Sequence, residues 1–351
     1  VNESVKVARQ NRLPKKLCSL INGVLRQSLR QMDALPAPDS ETADALPNHP
    51  SWMVERWQKS YGTEETGRIC RANNTIPPLT LHCNTEQCSP PELIKLFRDN
   101  RIHSSAGHFD ELAVILQDNS VPIPRLPGYS EGFFQVQDEG AQLLSRLLGP
   151  IMRHGNYLDG CAGLGGKTAN LIPRISSCTA TLAAVEPEAG RQKKFNENIK
   201  RLFPQFQINL HKKHLQQFLQ TSGRQFDGIL LDVPCSGTGV IGRHPDIRWN
   251  RQANDIKRNQ KLQRELIKAA AARLRPGGIL VYGTCSIEKE ENDDVIEHAL
   301  QHCPDLSLTD CSNFLPEAAH RFIDNGCFRC LPSEAIGGFF GARLVRRKHT
   351  P

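Results

Sequence analysis

Two cysteines follow apolar runs in a way that suits nucleophilic chemistry. Asp232-Val-Pro-Cys235-Ser closes the run Phe226–Asp232, which holds Ile229, Leu230 and Leu231. Gly283-Thr-Cys285-Ser closes the run Ile279–Tyr282. A thiolate at a strand end is a competent nucleophile once nearby positive charge lowers its pKa. One such cysteine reads as a buried structural thiol. Two of them on two strands of one sheet, with Asp232 beside one, read as a reaction centre.

A second constellation is Asp159-Gly-Cys161-Ala162-Gly163-Leu164-Gly165-Gly166-Lys167-Thr. Its glycines let a turn approach a ligand, and the helix that follows favours negative charge at its start. It is not a phosphate fingerprint. G-x-x-x-x-G-K-[ST] would need glycine at position 161, where Cys161 stands, and the dinucleotide pattern G-x-G-x-x-G fails at Thr168. An ATPase reading stays open at this stage with that misfit against it. Glu186 ends the next apolar run, where an acid can accept hydrogen bonds from ribose hydroxyls.

The elements that must position these groups alternate between strand and helix from about residue 126. Asp138 is expected to cap a helix carrying Leu143, Leu144 and Leu147. Strands are expected at Tyr157–Asp159, Ala180–Val185, Phe206–Leu210, Phe226–Asp232 and Ile279–Tyr282. Helices are expected over Lys167–Leu171, Glu188–Leu202 and Ala253–Leu274, the last ended by Pro276-Gly277-Gly278. Apolar strands alternating with helices predict an α/β fold with a parallel, doubly wound, Rossmann-like sheet. Ligands of such sheets bind beyond the C-terminal strand ends. Upstream, Leu79–His82 reads as a strand and Glu92–Arg98 as a helix opened by Pro90-Pro91. Residues 1–32 carry apolar positions at helical spacing, and 33–50 read as a linker. The expected division is a helical piece over 1–45, a small α/β subdomain over 46–125 and the main domain over 126–351.

The chain has 351 residues, 38% of them hydrophobic and 23% charged, with a net charge of +7. Mean hydropathy is −0.44. This composition fits a folded globular protein, and no apolar run reaches the roughly 18 residues of a membrane span. The chain starts with Val rather than Met, so it is expected to lack its original start. Twelve cysteines without a visible secretory leader read as a reduced, cytoplasmic set. The pairs Cys83/Cys88 and Cys327/Cys330 read as incidental or packing thiols, with no metal site expected.

The segments Asp159–Thr168, Asp232–Trp249 (DVPCSGTGVIGRHPDIRW), Thr284–Ser286 and Gly338-Phe339-Phe340 resemble the RsmB/Nop2/Sun family of RNA cytosine-5 methyltransferases, nearest to its bacterial 16S rRNA group. The likeness covers residues 126–346 and extends to Asn48–Trp57 and Ile21–Arg26, which in that group end a NusB-like helical RNA-binding domain. The resemblance implies that S-adenosylmethionine is held by Cys161, Ala162, Gly163, Leu164, Gly165, Gly166 and Lys167, with Glu186 on its ribose. It implies that Asp232 touches both cofactor and target base, that Cys285 is the nucleophile and that Cys235 helps release the product. Lys167 is expected to steady the site and favour a Cys285 thiolate. Two departures stand out. Gly163-Leu164 replaces the family's usual Ala-Pro, and the stretch His211-Lys-Lys-His214 lacks the family's acid near the adenine.

The partner expected from the resemblance is RNA, small-subunit rRNA in particular, bound by a monomer away from membranes. Arg243, His244, Arg248 and Trp249 are expected to grip phosphate or stack a base. Residues 243–275 hold ten Lys/Arg against three acids, a surplus equal to that of the whole chain. Lys257, Arg258 and Lys261 belong to this stripe, which predicts salt-sensitive RNA binding. A catalytically inactive RNA-binding scaffold is the alternative. It is fed by the two departures and opposed by the retention of Lys167, Asp232, Cys235 and Cys285.

Overall fold

The computed structural model describes residues 1–31, 48–117 and 121–348. The chain separates into two compact units, one within Val1–Pro47 and one within Asn48–Pro351. Most of the expected linker lies outside the described residues. The first unit is a helix pair, α1 (Asn2–Gln10) and α2 (Lys15–Arg30). Ala8 and Cys18 are buried between them, whereas Leu17, Leu20, Val24 and Leu29 are exposed. The apolar stripe read from the sequence is therefore helical but uncovered among the described residues.

The second unit starts with α3 (Ser51–Asn74), kinked at Gly62, whose φ is +79°. A small sheet follows, built from β1 (Leu79–Cys83), β2 (Ser104–Ala106), β3 (Ala113–Leu116) and β4 (Phe134–Val136) in the order β2-β3-β1-β4. Its strands are antiparallel. Helix α4 (Pro90–Asp99) covers it. Ser89 and Glu92 close a capping box there, and the prolines sit in the first turn, where no amide proton is needed. Leu81, Leu93, Phe97, Val114 and Phe134 form its core. Strand β4 lies past the expected boundary at 125 yet pairs with β1, because Phe134 completes that core.

The large sheet is wound as the strand–helix alternation predicts. Its parallel part uses β5 (Asn156–Asp159), β6 (Thr181–Val185), β7 (Asn209–His211), β8 (Phe226–Asp232) and β9 (Leu274–Thr284) in the order β7-β6-β5-β8-β9. The helices between these strands are α5 (Glu139–Arg146, before β5), α6 (Gly166–Ser177), α7 (Ala189–Leu202), α8 (Leu215–Ser222), α9 (Ile247–Asn250) and α10 (Ala253–Ala271). Leu230 and Val281 face one layer with α5–α7, and Ile229, Leu231 and Leu280 face the other with α8 and α10. Each such buried aliphatic side chain contributes roughly 1.5–3 kcal/mol. That two-sided burial is why β8 is apolar throughout.

One expectation is corrected here. The sheet is mixed, not wholly parallel. After α11 (Asp293–His302) the chain adds β10 (Leu306–Thr309), β11 (Ile323–Asp324), β12 (Cys327–Cys330) and β13 (Phe339–Arg346). Strand β13 runs antiparallel to β9. Strands β11 and β12 are joined by a tight turn at Asn325-Gly326 and β12 and β13 by a short loop, with no crossover helix between them, so these neighbours pair antiparallel. Smaller shifts also occur. β7 begins at Asn209 rather than Phe206, and α10 stops at Ala271, leaving Leu274 and the Pro-Gly-Gly to begin β9.

Candidate active site

Strands β6 and β7 lead away from β5 on one side, and β8 returns on the other. The switch point therefore lies between the C-terminal ends of β5 and β8, where an open α/β sheet leaves a crevice. Asp159 ends β5 and Asp232 ends β8. A cleft of about 470 Å3 opens there, lined by the 160–163 turn, Glu186, Pro187, Arg191, His214–Gln216, Asp232–Cys235, Arg251, Leu262, Leu266 and Cys285.

The Gly-rich turn is shaped by backbone conformation. Gly163 and Gly165 have φ of +55° and +86°, a region that L side chains rarely adopt. Gly165 is the N-cap of α6. Asp159, 1% exposed, anchors the turn by accepting from Thr168 Oγ1 at 2.6 Å and from the Cys161 amide at 3.4 Å. Burial pushes its carboxyl up to about 6, although Thr168 holds it down in part. Burial likewise pushes the Cys161 thiol well up. Among the candidate cofactor residues, Cys161, Gly163, Glu186 and Asp232 line the cleft. Ala162 is buried and Leu164 is exposed. Gly166 has Gln135 and Gln137 as its nearest side chains.

Lys167 extends from the first turn of α6 to Asp232. Its Nζ lies 2.6 Å from Asp232 Oδ2, with the two side chains 12% and 31% exposed. Burial pulls the ammonium down, but Asp232 and the nearby Cys285 sulfur outweigh it and the net shift is upward. The ammonium thus stays charged beside the cleft. Asp232 is held as one half of an ion pair.

The two cysteines meet. Val233 and Pro234 lead from β8 to Cys235, and the neighbouring β9 ends one residue before Cys285. Cys235 Sγ and Cys285 Sγ are 3.3 Å apart, a thiol–thiol hydrogen bond. That bond, burial and the nearby Glu291 and Asp232 carboxylates push the Cys235 thiol well up. Both turns are held from behind. Arg251 donates to the Ser236 carbonyl at 2.9 Å, and the Ser236 hydroxyl lies 3.1 Å from that of Ser286.

The expected RNA contacts divide. Lys257 and Lys261 are exposed on α10, as is Arg258, which also pairs with Asp255 at 2.8 Å. His244 and Trp249 are exposed, Trp249 at 66%. Arg243 is not free to grip phosphate. Its guanidinium forks onto the Asp138 carboxylate at 2.7 and 3.0 Å and donates to the Pro78 carbonyl. Arg248 likewise turns inward and donates to the Asn73 carbonyl. Both are corrected from RNA contacts to braces, because each guanidinium turns inward onto protein acceptors, Arg243 on Asp138 and Pro78 and Arg248 on Asn73.

Sequence reasoning missed several cleft residues. Arg191, Arg251, His214, Leu215 and Gln216 line the cleft. His214 is the N-cap of α8, so the stretch without an acid still delivers a polar helix start. The cysteine pairs elsewhere are buried in packing. The Cys83 thiol donates to the Cys88 carbonyl, and Cys330 donates to that of Gly337.

Comparison with known proteins places this geometry. The profile of the 16S rRNA methyltransferase RsmB/F family matches residues 147–345, and that of the RsmF/B-like ferredoxin-like domain matches 49–123. Ribosomal RNA small subunit methyltransferase B of Salmonella paratyphi B is 37% identical over 348 residues, covering 98% of this chain and 77% of that protein. The protein of the same name from Citrobacter koseri is 38% identical, covering 95% and 74%. A methyltransferase homolog from Pyrococcus horikoshii superimposes with a TM-score of 0.73 at 26% identity, over 89% of this chain and 100% of that one. NSun6 from Pyrococcus horikoshii, solved with SFG, shares the fold, with a TM-score of 0.74 at 20% identity over 85% and 98%. The chain belongs to the RsmB/F family of 16S rRNA methyltransferases.

Proposed function

We propose that this methyltransferase moves a methyl group from S-adenosylmethionine to carbon 5 of a cytosine in 16S rRNA, through a covalent bond between Cys285 and the base. The observation that carries the reading is the 3.3 Å thiol pair at the mouth that also holds the Lys167–Asp232 ion pair.

The cleft fits the cofactor chemically. The acids Asp159, Glu186 and Asp232 act together on the Gly turn at Cys161, a surrounding that suits a cationic sulfonium. Gly163 leaves open space where a Cβ would stand. Glu186, 3% exposed, faces the cleft to take the ribose, and the start of α8 at His214–Gln216 is the place for the adenine edge. S-adenosylmethionine supplies an electrophilic methyl when bound.

Carbon 5 of cytosine is a poor nucleophile until a sulfur adds at carbon 6. The Cys285 thiolate forms that bond, and the ring's electron pair becomes available at carbon 5. Negative charge growing at ring nitrogen 3 is taken up by a proton passed through Asp232 from the Lys167 ammonium one hydrogen bond away, and the proton returns along the same path when the base is released. After methylation the proton on carbon 5 leaves to water, the carbon 5–carbon 6 double bond re-forms and the bond to Cys285 breaks. Cys235, as a thiol, donates its hydrogen bond to the departing sulfur. The base must be unstacked to enter the cleft, which favours a single-stranded or flipped cytosine.

The test uses Cys285→Ala and Cys235→Ala with rRNA and methyl-labelled cofactor. The first variant is expected to abolish transfer, and the second to accumulate a protein–RNA adduct that survives denaturing gels. Transfer by Cys285→Ala overturns the reading.

A further inference from the structure

We infer that Glu291 decides which of the two neighbouring thiols keeps the proton, by anchoring the Cys235 turn with a buried carboxylate that makes no ion pair among the described residues. The inference rests on the two-cysteine reading above and deepens it. Two thiols 3.3 Å apart cannot both ionise, since like charges at that distance repel strongly. Something in the fold must break their symmetry.

Glu291 is 0% exposed. Its carboxylate accepts from the Ser236 amide at 2.8 Å and from the Ser236 hydroxyl at 2.5 Å. It also accepts from Asn259 Nδ2 at 3.0 Å and from Gln263 Nε2 at 3.2 Å. The Gln263 amide further ties the Pro234 carbonyl at 2.9 Å. Every one of these neighbours donates to it, and among the described residues it makes no ion pair with Lys, Arg or His. The residue after Cys235 is thus bonded directly to a buried carboxylate.

Cys285 is held by the next residue along the chain. Asn292 accepts from Thr284 Oγ1 at 2.7 Å and donates to the Ser286 carbonyl at 2.9 Å. Asn292 is neutral, so consecutive residues brace the two cysteine turns with unequal charge. The opposite sign approaches from the cofactor side, where the Lys167 ammonium is close enough to feel the Cys285 sulfur. The other groups facing Cys235 are Asp232 and the buried Tyr282 hydroxyl, with Arg251 on the Ser236 carbonyl. Of these Asp232 is already compensated by Lys167 at 2.6 Å, and Arg251 works against Glu291 from the solvent side. Glu291 therefore designates Cys235 as the thiol that donates a hydrogen bond, and frees Cys285 to attack.

The test is alkylation by iodoacetamide across pH 6–10, with the two cysteine peptides quantified separately by mass spectrometry. In the unsubstituted protein Cys285 is expected to react at least about tenfold faster than Cys235 at neutral pH, a one-unit separation. Equal rates overturn the inference without any variant. Glu291→Gln is expected to raise Cys235 alkylation about tenfold near pH 8, whereas Glu291→Asp, which keeps the charge, leaves its profile close to the original. A Cys235 profile unmoved in folded Glu291→Gln also overturns it. Neither readout requires turnover, so methyl transfer by Cys285→Ala would sink the two-cysteine mechanism while leaving the alkylation result to stand or fall separately.

Discussion

Arg243 separates a reading of the basic stripe from a reading of the fold, and Arg243→Ala makes the separation measurable. In the structure its guanidinium, 22% exposed, meets an Asp138 side chain that is only 6% exposed, at 2.7 Å. Asp138 also caps α5 through the Gly140 amide and accepts from Gly337, so one carboxylate ties α5, β13's approach and the 243 turn together. At a charge separation of ~4 Å and an effective dielectric of ~20 the attraction is about 4 kcal/mol. Truncating one partner of a buried pair costs ~3–5 kcal/mol because the other charge is left desolvated. Asp138 keeps two backbone donors and Arg243 is partly solvated, so about 3 kcal/mol is the working figure, the low end of that range. With a urea dependence near ~3 kcal/mol per molar, the midpoint drops by about 1 M. RNA binding measured against salt should keep its slope, since a lost phosphate contact would lower it by ~0.7–0.9. A variant of unchanged stability whose salt slope falls by that amount refutes the brace and restores Arg243 to the RNA interface.

Three further outcomes are expected. Reversing Lys257, Arg258 and Lys261 to Glu should lower RNA affinity at least tenfold at low salt and flatten its salt dependence, while calorimetric binding of S-adenosylmethionine is unchanged; equal RNA affinity removes α10 from the interface. His82 on β1 is pulled down to about 4 by burial and Arg146, against the opposing pull of Asp110. Its folded value lies below the unfolded value near 6.5, so its contribution is present above pH 6.5 and lost as pH falls through 4, with a slope of at most ~1.4 kcal/mol per pH unit. His82→Leu should flatten that part of the stability–pH curve, and an unchanged curve assigns the acid loss to another group. Gly165→Ala puts a Cβ 2.9 Å from the Phe195 ring at a φ of +86°. It should cost ~1–3 kcal/mol of stability and weaken cofactor binding, and an unaltered melting point and affinity would show that the turn relaxes freely.

The sequence by itself determined the parallel strands and where they finish. Apolar runs such as Phe226–Leu231 mark strands buried on both faces, and the residues just after them fall at the C-terminal edge whatever the order of the sheet. That is why Asp232, Cys235 and Cys285 were legible as a cluster, and why Asp159 with its glycine turn was legible beside them. Local rules of this kind need only neighbouring residues. What the tertiary structure decided were the partners. The turn before α11 inserts Glu291 at 0% exposure under Cys235, 55 positions from the Ser236 it binds. Arg243 and Arg248 read as phosphate grips, and only the start of α5 and the end of α3, packed beside them, give each a buried acceptor 105 and 175 positions away. The antiparallel edge from β13 outward carried no local signature distinguishing it from a parallel strand. Charge and periodicity tell a side chain's preference for water or core, but pairing is a choice among acceptors brought near by strand order. That choice is made only when the switch point folds β5, β8 and β9 side by side.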